Sequence, residues 1–345
     1  MLDVRQTDAF EGTAGLPGIE VTYLLPLRWT EPGPIDDLAS YLEQVAGWVD
    51  EILVIDGSGP ELFAAHAERF GESVVHLAPD PDLAFRSGKV DGVVTGLRRC
   101  RNDLVVIADD DVRYEYGNLQ RVVEGLGRAE LVRPQNYFEP NVWHTRWDSA
   151  RSLLNRVRTG DRELPTGDFP GTLAVRRSAL DPVHPYDGDA LFENLELMRT
   201  VMARGGKVDT PLDLYVARRP PSAAHFLSQR VRQAYDDFAM PARAALFLSL
   251  IPVSFLLSGG RRAGWLLTVS GAGWFLAEKG RRKSGGTRYF PLSATLFTPL
   301  WILERSICSW VALISFFRGG VSYGGRRMRL AAHSTEDLRR RSAGN

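Results

Sequence analysis

Between Glu20 and Asp111 short apolar runs take turns with amphipathic stretches. VTYLLPL (21–27), EILVID (51–56), SVVHLA (73–78) and DLVVIADDD (103–111) are unbroken apolar runs of strand length, as buried strands show. Between them DDLASYLEQVAGWV (36–49), ELFAAHAERF (61–70) and KVDGVVTGLRRC (89–100) carry apolar residues at helical spacing. Strand and helix in regular turn predict crossover units, and hence an α/β fold with a mostly parallel sheet flanked by helices. Ligands of such sheets gather beyond the carboxyl ends of the strands. Asp56 and the Asp109-Asp110-Asp111 run both stand at such ends.

After Pro241 the pattern changes. Residues 244–260 and 263–277 hold no charge, and 289–303 and 306–317 flank the pair Glu304/Arg305. A spanning helix needs about 17 to 25 apolar residues, so the first run just qualifies and the others are short. Trp265, Trp274, Trp301 and Trp310 lie in or near the ends of these runs, where interfacial aromatics belong. The alternative is a set of buried helices in a soluble domain. Lys279, Arg281, Arg282, Lys283 and Arg288 follow the second run, whereas only Arg261 and Arg262 separate the first two. The richer side is expected in the cytoplasm, which places residues 1–240 there if the first two runs form a hairpin. Segment 289–317 is then a re-entrant or interfacial helix pair, or one further hairpin of short spans.

Charge sharpens the division. The chain of 345 residues is neutral as a whole, yet residues 1–240 carry 38 acidic and 26 basic side chains, and 241–345 carry 4 and 16. The two parts are therefore built for different surroundings. Cys100 and Cys308 are too few for a disulfide framework or a cysteine-rich zinc site. The first 18 residues lack the apolar core of an export signal and read as a flexible leader. The expected organisation is a leader at 1–18, an α/β domain at 19–240, a membrane-associated helical region at 241–330 and a polar, basic tail at 331–345. The histidines show no HExxH-type spacing, there is no GxSxG, and the globular part is acidic. Zinc catalysis, serine hydrolysis and nucleic-acid binding therefore find no support.

Three aspartates closing an apolar strand repel one another and resist burial without a counter-charge. A divalent cation is one partner, and few, oxygen-only ligands suit Mg²⁺ or Mn²⁺. A solvated acidic turn is the other reading of the same residues.

VTYLLPLRWTE, EILVIDGSG, SGKVDGVVTGL, VVIADDDV, FPGTLAVRRSAL, FENLELMRTVMARGGKV and QRVRQ follow one another from Val21 to Gln233. In this order and spacing they resemble the family 2 glycosyltransferases of GT-A fold, and in particular the membrane-attached branch with ceramide glucosyltransferases and processive synthases. The resemblance implies that Pro26, Leu27 and Arg28 border a nucleotide base and that Asp56 holds the uracil or ribose. It also implies that Gly88 and Lys89 line the nucleotide pocket. Asp109 and Asp111 match the DxD motif, with Asp111 the more direct metal ligand and Asp109 shared between metal and substrate. By the residues alone, Asp56 could instead cap its turn and Lys89 could be solvated.

The family's base is the aspartate of a Glu-Asp pair, which here reads Glu193-Asn194. An amide cannot accept the proton, so Glu193 is the expected base, with Asp189 and then Glu196 behind it. The QxxRW pattern is met by Gln229 and Arg232, while Gln233 replaces its tryptophan; Arg230 and Arg232 are expected to face the diphosphate. Gly171 and Thr172, with Phe169, Pro170, Arg176 and Arg177, resemble the stretch where sugar or acceptor approaches the backbone. His225, which precedes this basic segment, is the one histidine placed near the expected site. The expected activity is metal-dependent, inverting transfer of a sugar from a UDP- or GDP-linked donor to a lipid-linked or amphipathic acceptor. It would take place at the cytoplasmic face of the cell membrane, one sugar at a time. The alternative is a sugar-nucleotide-binding membrane protein that Asn194 has made non-catalytic or rewired.

Overall fold

The apolar runs rich in Val, Ile and Leu suit strands covered on both faces, and they form the centre of one sheet. In the computed structural model, which describes residues 16–158 and 171–343, β1 is Ile19–Leu27, β2 Val49–Asp56, β3 Val74–Leu77 and β4 Leu104–Ala108. Helices α1 (Ile35–Ala46), α2 (Pro60–Ala67) and α3 (Gly88–Arg99) alternate with them. There follow β5 (Val112–Arg113), α4 (Tyr116–Gly125), β6 (Leu131–Val132), β7 (Gln135–Phe138) and α5 (Trp143–Arg158). Next come β8 (Thr172–Arg176), α6 (Glu193–Ala203), β9 (Val208–Asp209), β10 (Tyr215–Arg218), α7 (Ala223–Ser228) and α8 (Arg230–Tyr235). Most of the leader, Phe169 and Pro170 lie outside the described residues.

The seven-stranded sheet runs β3-β2-β1-β4-β8-β6-β9. Only β8 is antiparallel to its neighbours β4 and β6, so the expected mostly parallel α/β sheet is observed. Alternate residues of β1 face opposite layers. Leu24 packs with Val90, Val93 and Leu97 of α3, whereas Tyr23 and Leu25 pack with Leu38 and Leu42 of α1 and Leu119 of α4. A three-stranded sheet, β5-β10-β7, sits beside the end of β4. In it Arg218 of β10 pairs with Val112 of β5, the residue after Asp111. That register is what carries Arg218 to the aspartates.

The remaining chain is α9 (Pro241–Leu256), α10 (Gly259–Arg282), α11 (Leu292–Leu296), α12 (Thr298–Phe317), the hairpin β11 (Val321–Tyr323) and β12 (Arg326–Met328), and α13 (Thr335–Ala343). Helix α10 lies along α5, and α12 is packed by α5, α8, α9 and α10. Several spans were expected, but only α12 is both long and apolar enough to cross a membrane among the described residues. The run at 244–260 is cut at Leu257, leaving α9 with 16 residues, and α10 takes in Arg261, Arg262 and the basic turn after Ala277. Buried Arg305 and exposed Phe317 both belong to α12, so its charge points inward and much of its apolar surface outward.

Candidate active site

Beyond β4 the backbone turns sharply, with the Val112 amide donating to the Asp109 carbonyl at 3.1 Å. The turn separates three consecutive carboxylates. Asp110 accepts from the Trp29 indole Nε1 at 2.5 Å, while Asp109 and Asp111 both face Arg218. Arg218 Nη2 lies 2.7 Å from Asp111 Oδ2 and 3.6 Å from Asp109 Oδ2. Lys89 Nζ, from the first turn of α3, lies 2.6 Å from Asp109 Oδ1 and 2.8 Å from Glu193 Oε1. One ammonium thus ties the end of β4 to the start of α6.

These contacts set the local acidity. Burial disfavours the Asp111 carboxylate, Arg218 pulls the other way, and Asp109 and Asp110 repel it, leaving its pKa pushed up to about 6. Burial works against the Lys89 ammonium, yet Asp109 and Glu193 together outweigh it and raise its pKa. Lys89 is therefore a fixed positive charge in the neutral range.

Gly171 permits the Arg218 position by close approach: a Cβ there would lie 2.6 Å from Arg218 Cζ. Its amide donates to Asn136 Oδ1 at 3.0 Å, and its carbonyl accepts from the Asp109 amide at 2.8 Å. Thr172 is buried and donates to the Ile107 carbonyl. Arg176 and Arg177 turn to Asp103 and to the Cys100 and Leu126 carbonyls, away from this site.

The nucleotide-side residues are arranged differently from a set of free ligands. Pro26 is buried, and Gly92 of α3 approaches it so closely that a Cβ would lie 3.1 Å from Pro26 Cβ. Exposed Arg28 lies across Gly88 at the start of α3. Asp56 is buried and already engaged by His66 Nδ1 at 2.7 Å, His76 Nε2 at 3.1 Å and the Ser58 amide at 2.8 Å. Burial opposes its ionisation, but these hydrogen bonds hold its pKa well below the usual carboxylate range. Asp56 thus organises its surroundings: His66 meets the Trp29 ring edge-on at 5.0 Å, and Trp29 in turn holds Asp110.

A cleft opens from the aspartates toward α7 and α8, lined among others by Asp109, Asp111, Glu193, Asn194, Arg218 and His225. Gln229, Arg230 and Arg232 line it as well. Arg230 is buried, with its guanidinium on Asp148 Oδ1 at 3.1 Å and over the Phe226 ring at 3.9 Å. Arg232 stacks over Tyr323 at 4.9 Å. Asp189 accepts from the Arg86 amide at 2.9 Å and does not line the cleft. Glu196 is fully buried and turned away to His333. Of the three carboxylates considered as base, Glu193 is the one that lines the cleft, and it pairs with Lys89.

Residues 36–183 match the sequence model of Glycosyl transferase family 2. The chain carries a family 2 glycosyltransferase domain. Its fold is similar to that of the mannosyltransferase PcManGT from Pyrobaculum calidifontis, solved in complex with GDP-Man and Mn²⁺. The TM-score is 0.50 at 15% identity, over 84% of this chain and 87% of that one. Glucosyl-3-phosphoglycerate synthase from Mycobacterium tuberculosis, in complex with Mn²⁺, UDP-glucose and phosphoglyceric acid, aligns with TM-score 0.40 at 17% identity. That alignment spans 60% of this chain and 74% of that one. None of the curated proteins matches the chain in sequence.

Whether the glycosyltransferase domain can hold a divalent ion is a question about its donor set. Among the described residues no three His, Cys, Asp or Glu side chains close around one point. Asp109 and Asp111 nonetheless converge on one cationic group, Arg218. Two carboxylates, with further positions left for phosphate oxygens, fit Mg²⁺ or Mn²⁺. Arg218 itself was missed from sequence, as were Trp29, His66 and His76. The signal for Arg218 was present: it closes the short apolar run LYVA just as the aspartates close VVIA.

Proposed function

We propose that the glycosyltransferase domain moves a sugar, with inversion, from a UDP- or GDP-linked donor to a lipid-linked or amphipathic acceptor at the cytoplasmic face of a membrane. The observation that carries this reading is the Lys89 bridge between Asp109 and Glu193, two carboxylates that line the cleft. Asp109 and Asp111 would hold Mg²⁺ or Mn²⁺. Such an ion supplies Lewis-acid stabilisation of the departing diphosphate.

The chain's own groups account for the rest. Lys89 and Arg218 bring positive charge to the place where the diphosphate's charge develops. Lys89 donates to Glu193 Oε1, and Oε2 has no partner among the described residues. Glu193 takes the proton from the acceptor hydroxyl as that oxygen attacks the anomeric carbon and the sugar–phosphate bond breaks. A single displacement inverts that carbon. Asn194 lines the cleft beside it as a hydrogen-bonding amide.

The membrane part of the reading is supported by surface chemistry. Seventeen of the twenty-one large hydrophobic side chains left exposed among the described residues lie between Leu246 and Phe317. Soluble surfaces rarely gather so much apolar area in one region. Helices α7 and α8 join the cleft directly to α9, which favours an acceptor presented from the bilayer.

The test is sugar transfer or release from a panel of UDP- and GDP-sugars by the full chain in lipid vesicles, with Mn²⁺ or with chelator. Metal-dependent turnover of one donor is expected. Binding of a donor with no turnover in any lipid or water assay would favour the non-catalytic reading.

A further inference from the structure

The chain leaving α12 doubles back over the catalytic domain. Strands β11 and β12 pair Val321 with Met328 and Tyr323 with Arg326. The residues after them run beside the start of α6. The Leu191 amide donates to the Leu330 carbonyl and the Phe192 amide to the Ala331 carbonyl, both at 3.0 Å. These are the two residues directly before Glu193. Helix α6 has no side-chain hydrogen bond from its N-cap residue Phe192, and the backbone that leads into it is held by this segment.

One turn later, Glu196 has no exposed surface and accepts twice from one residue, from the His333 amide and from its Nδ1, both at 2.8 Å. A buried carboxylate left without partners is strongly destabilising. Arg199, on the following turn, donates to the His333 carbonyl at 2.6 Å. Asp187 and Arg341 of α13 also face this corner, 3.4 Å from each other.

The other end of the same segment holds the approach to α3. Arg326 Nη1 donates to the Phe85 carbonyl at 3.0 Å, and Arg86 Nη1 donates to the Arg327 carbonyl at 2.9 Å. From α8, Tyr235 donates to the Arg329 carbonyl at 2.7 Å. The segment therefore touches the residues that lead into α3, three and four positions before Lys89, and the elements that carry Glu193 and Arg232.

We propose that residues 321–333 are a strap that sets Glu193 against Lys89, with His333 as its positioning residue. The proposal rests on the reading of Glu193 as the base. Because the strap continues directly from α12, it also links the apolar helix to the geometry of the catalytic carboxylate. Nothing in the catalytic machinery is supplied by His333 itself; it acts through Glu196 and the first turns of α6.

The experiment compares His333→Ala and His333→Asn with the parent chain in vesicles, reading sugar release from the donor and calorimetric affinity for UDP and GDP. In His333→Ala, kcat should fall by about tenfold or more, in keeping with a displaced catalytic group, while nucleotide affinity stays within about twofold. Asparagine retains an amide N–H near the place of Nδ1 and should recover most of the loss. Equal kcat in the parent and His333→Ala, or equal losses of kcat and nucleotide affinity without recovery by asparagine, would overturn the strap. Hydrogen exchange reads the same variants without turnover: His333→Ala should speed exchange at 191–199 and 84–89 and leave β1 and β2 unchanged. Unchanged exchange at 191–199 also overturns it. Glu193→Gln separates the two readings, because sugar release that survives it rejects the base assignment whatever His333 does.

Discussion

Residues 19–240 and 241–317 solve the same problem in opposite ways. In the first region the large apolar side chains lie inside; only Val75, Trp143, Val183 and Leu227 are exposed among the described residues. In the second, Leu256, Leu267, Phe275 and Phe317 are 63–85% exposed, while Arg305 is buried beside Asp237 and Gln233. The first region turns its apolar side chains away from water, whereas the second leaves many of them on its surface. The acidic and basic balances of the two regions follow the same division.

That contrast is most easily broken at the polar centre. Asp111→Asn removes the carboxylate that Arg218 grips at 2.7 Å, and transfer should fall by about 10³-fold, the scale of losing a preorganised electrostatic contact. Steady-state kinetics with saturating donor measure this. Glu193→Gln should lower kcat by about 10²-fold or more with little change in nucleotide affinity; a KM effect alone would point to acceptor binding.

The apolar side of the contrast is sharpened by paired charges. Leu267→Glu with Phe275→Glu should weaken vesicle co-sedimentation by about tenfold or more, since each buried side chain contributes about 1.5–3 kcal/mol. Val183→Glu, on the first region, should leave sedimentation unchanged.

The smallest effect concerns pH. The hydrogen bond to Glu196 raises the His333 pKa, against burial and with Arg341 opposing it and Asp187 aiding it. A raised folded-state pKa contributes stability that is fully present below the ordinary histidine value and is lost as pH rises through the raised one. Thermal unfolding between pH 6 and 9 should therefore show a fall in Tm that His333→Asn lacks.

Sequence made β1 to β4 legible because their apolar content has no other use at that length. It also named Lys89, Asp109, Asp111 and Glu193 from separate motifs, and the fold brings them to one point. What it did not convey were partners fixed by long-range register. Arg218 reaches Asp111 through the β5–β10 pairing, 107 residues away in the chain. Glu196 reads like a second candidate base at helical spacing from Glu193, and only the returning strap shows its partner to be His333, 137 residues on. Arg230 reads as a diphosphate contact until Asp148 of α5 is placed against it. The break between α9 and α10 turns on Ser258 and the positive φ of Gly259 within an apolar run, where hydropathy alone continues.

The most direct test of the ion-and-diphosphate site is calorimetric titration of the full chain with UDP and with GDP, each with Mn²⁺ and with chelator, repeated on Asp111→Asn. Saturable binding of one nucleotide that needs the metal and is lost in Asp111→Asn is the predicted result. Binding that is equally tight with chelator and in Asp111→Asn would contradict it.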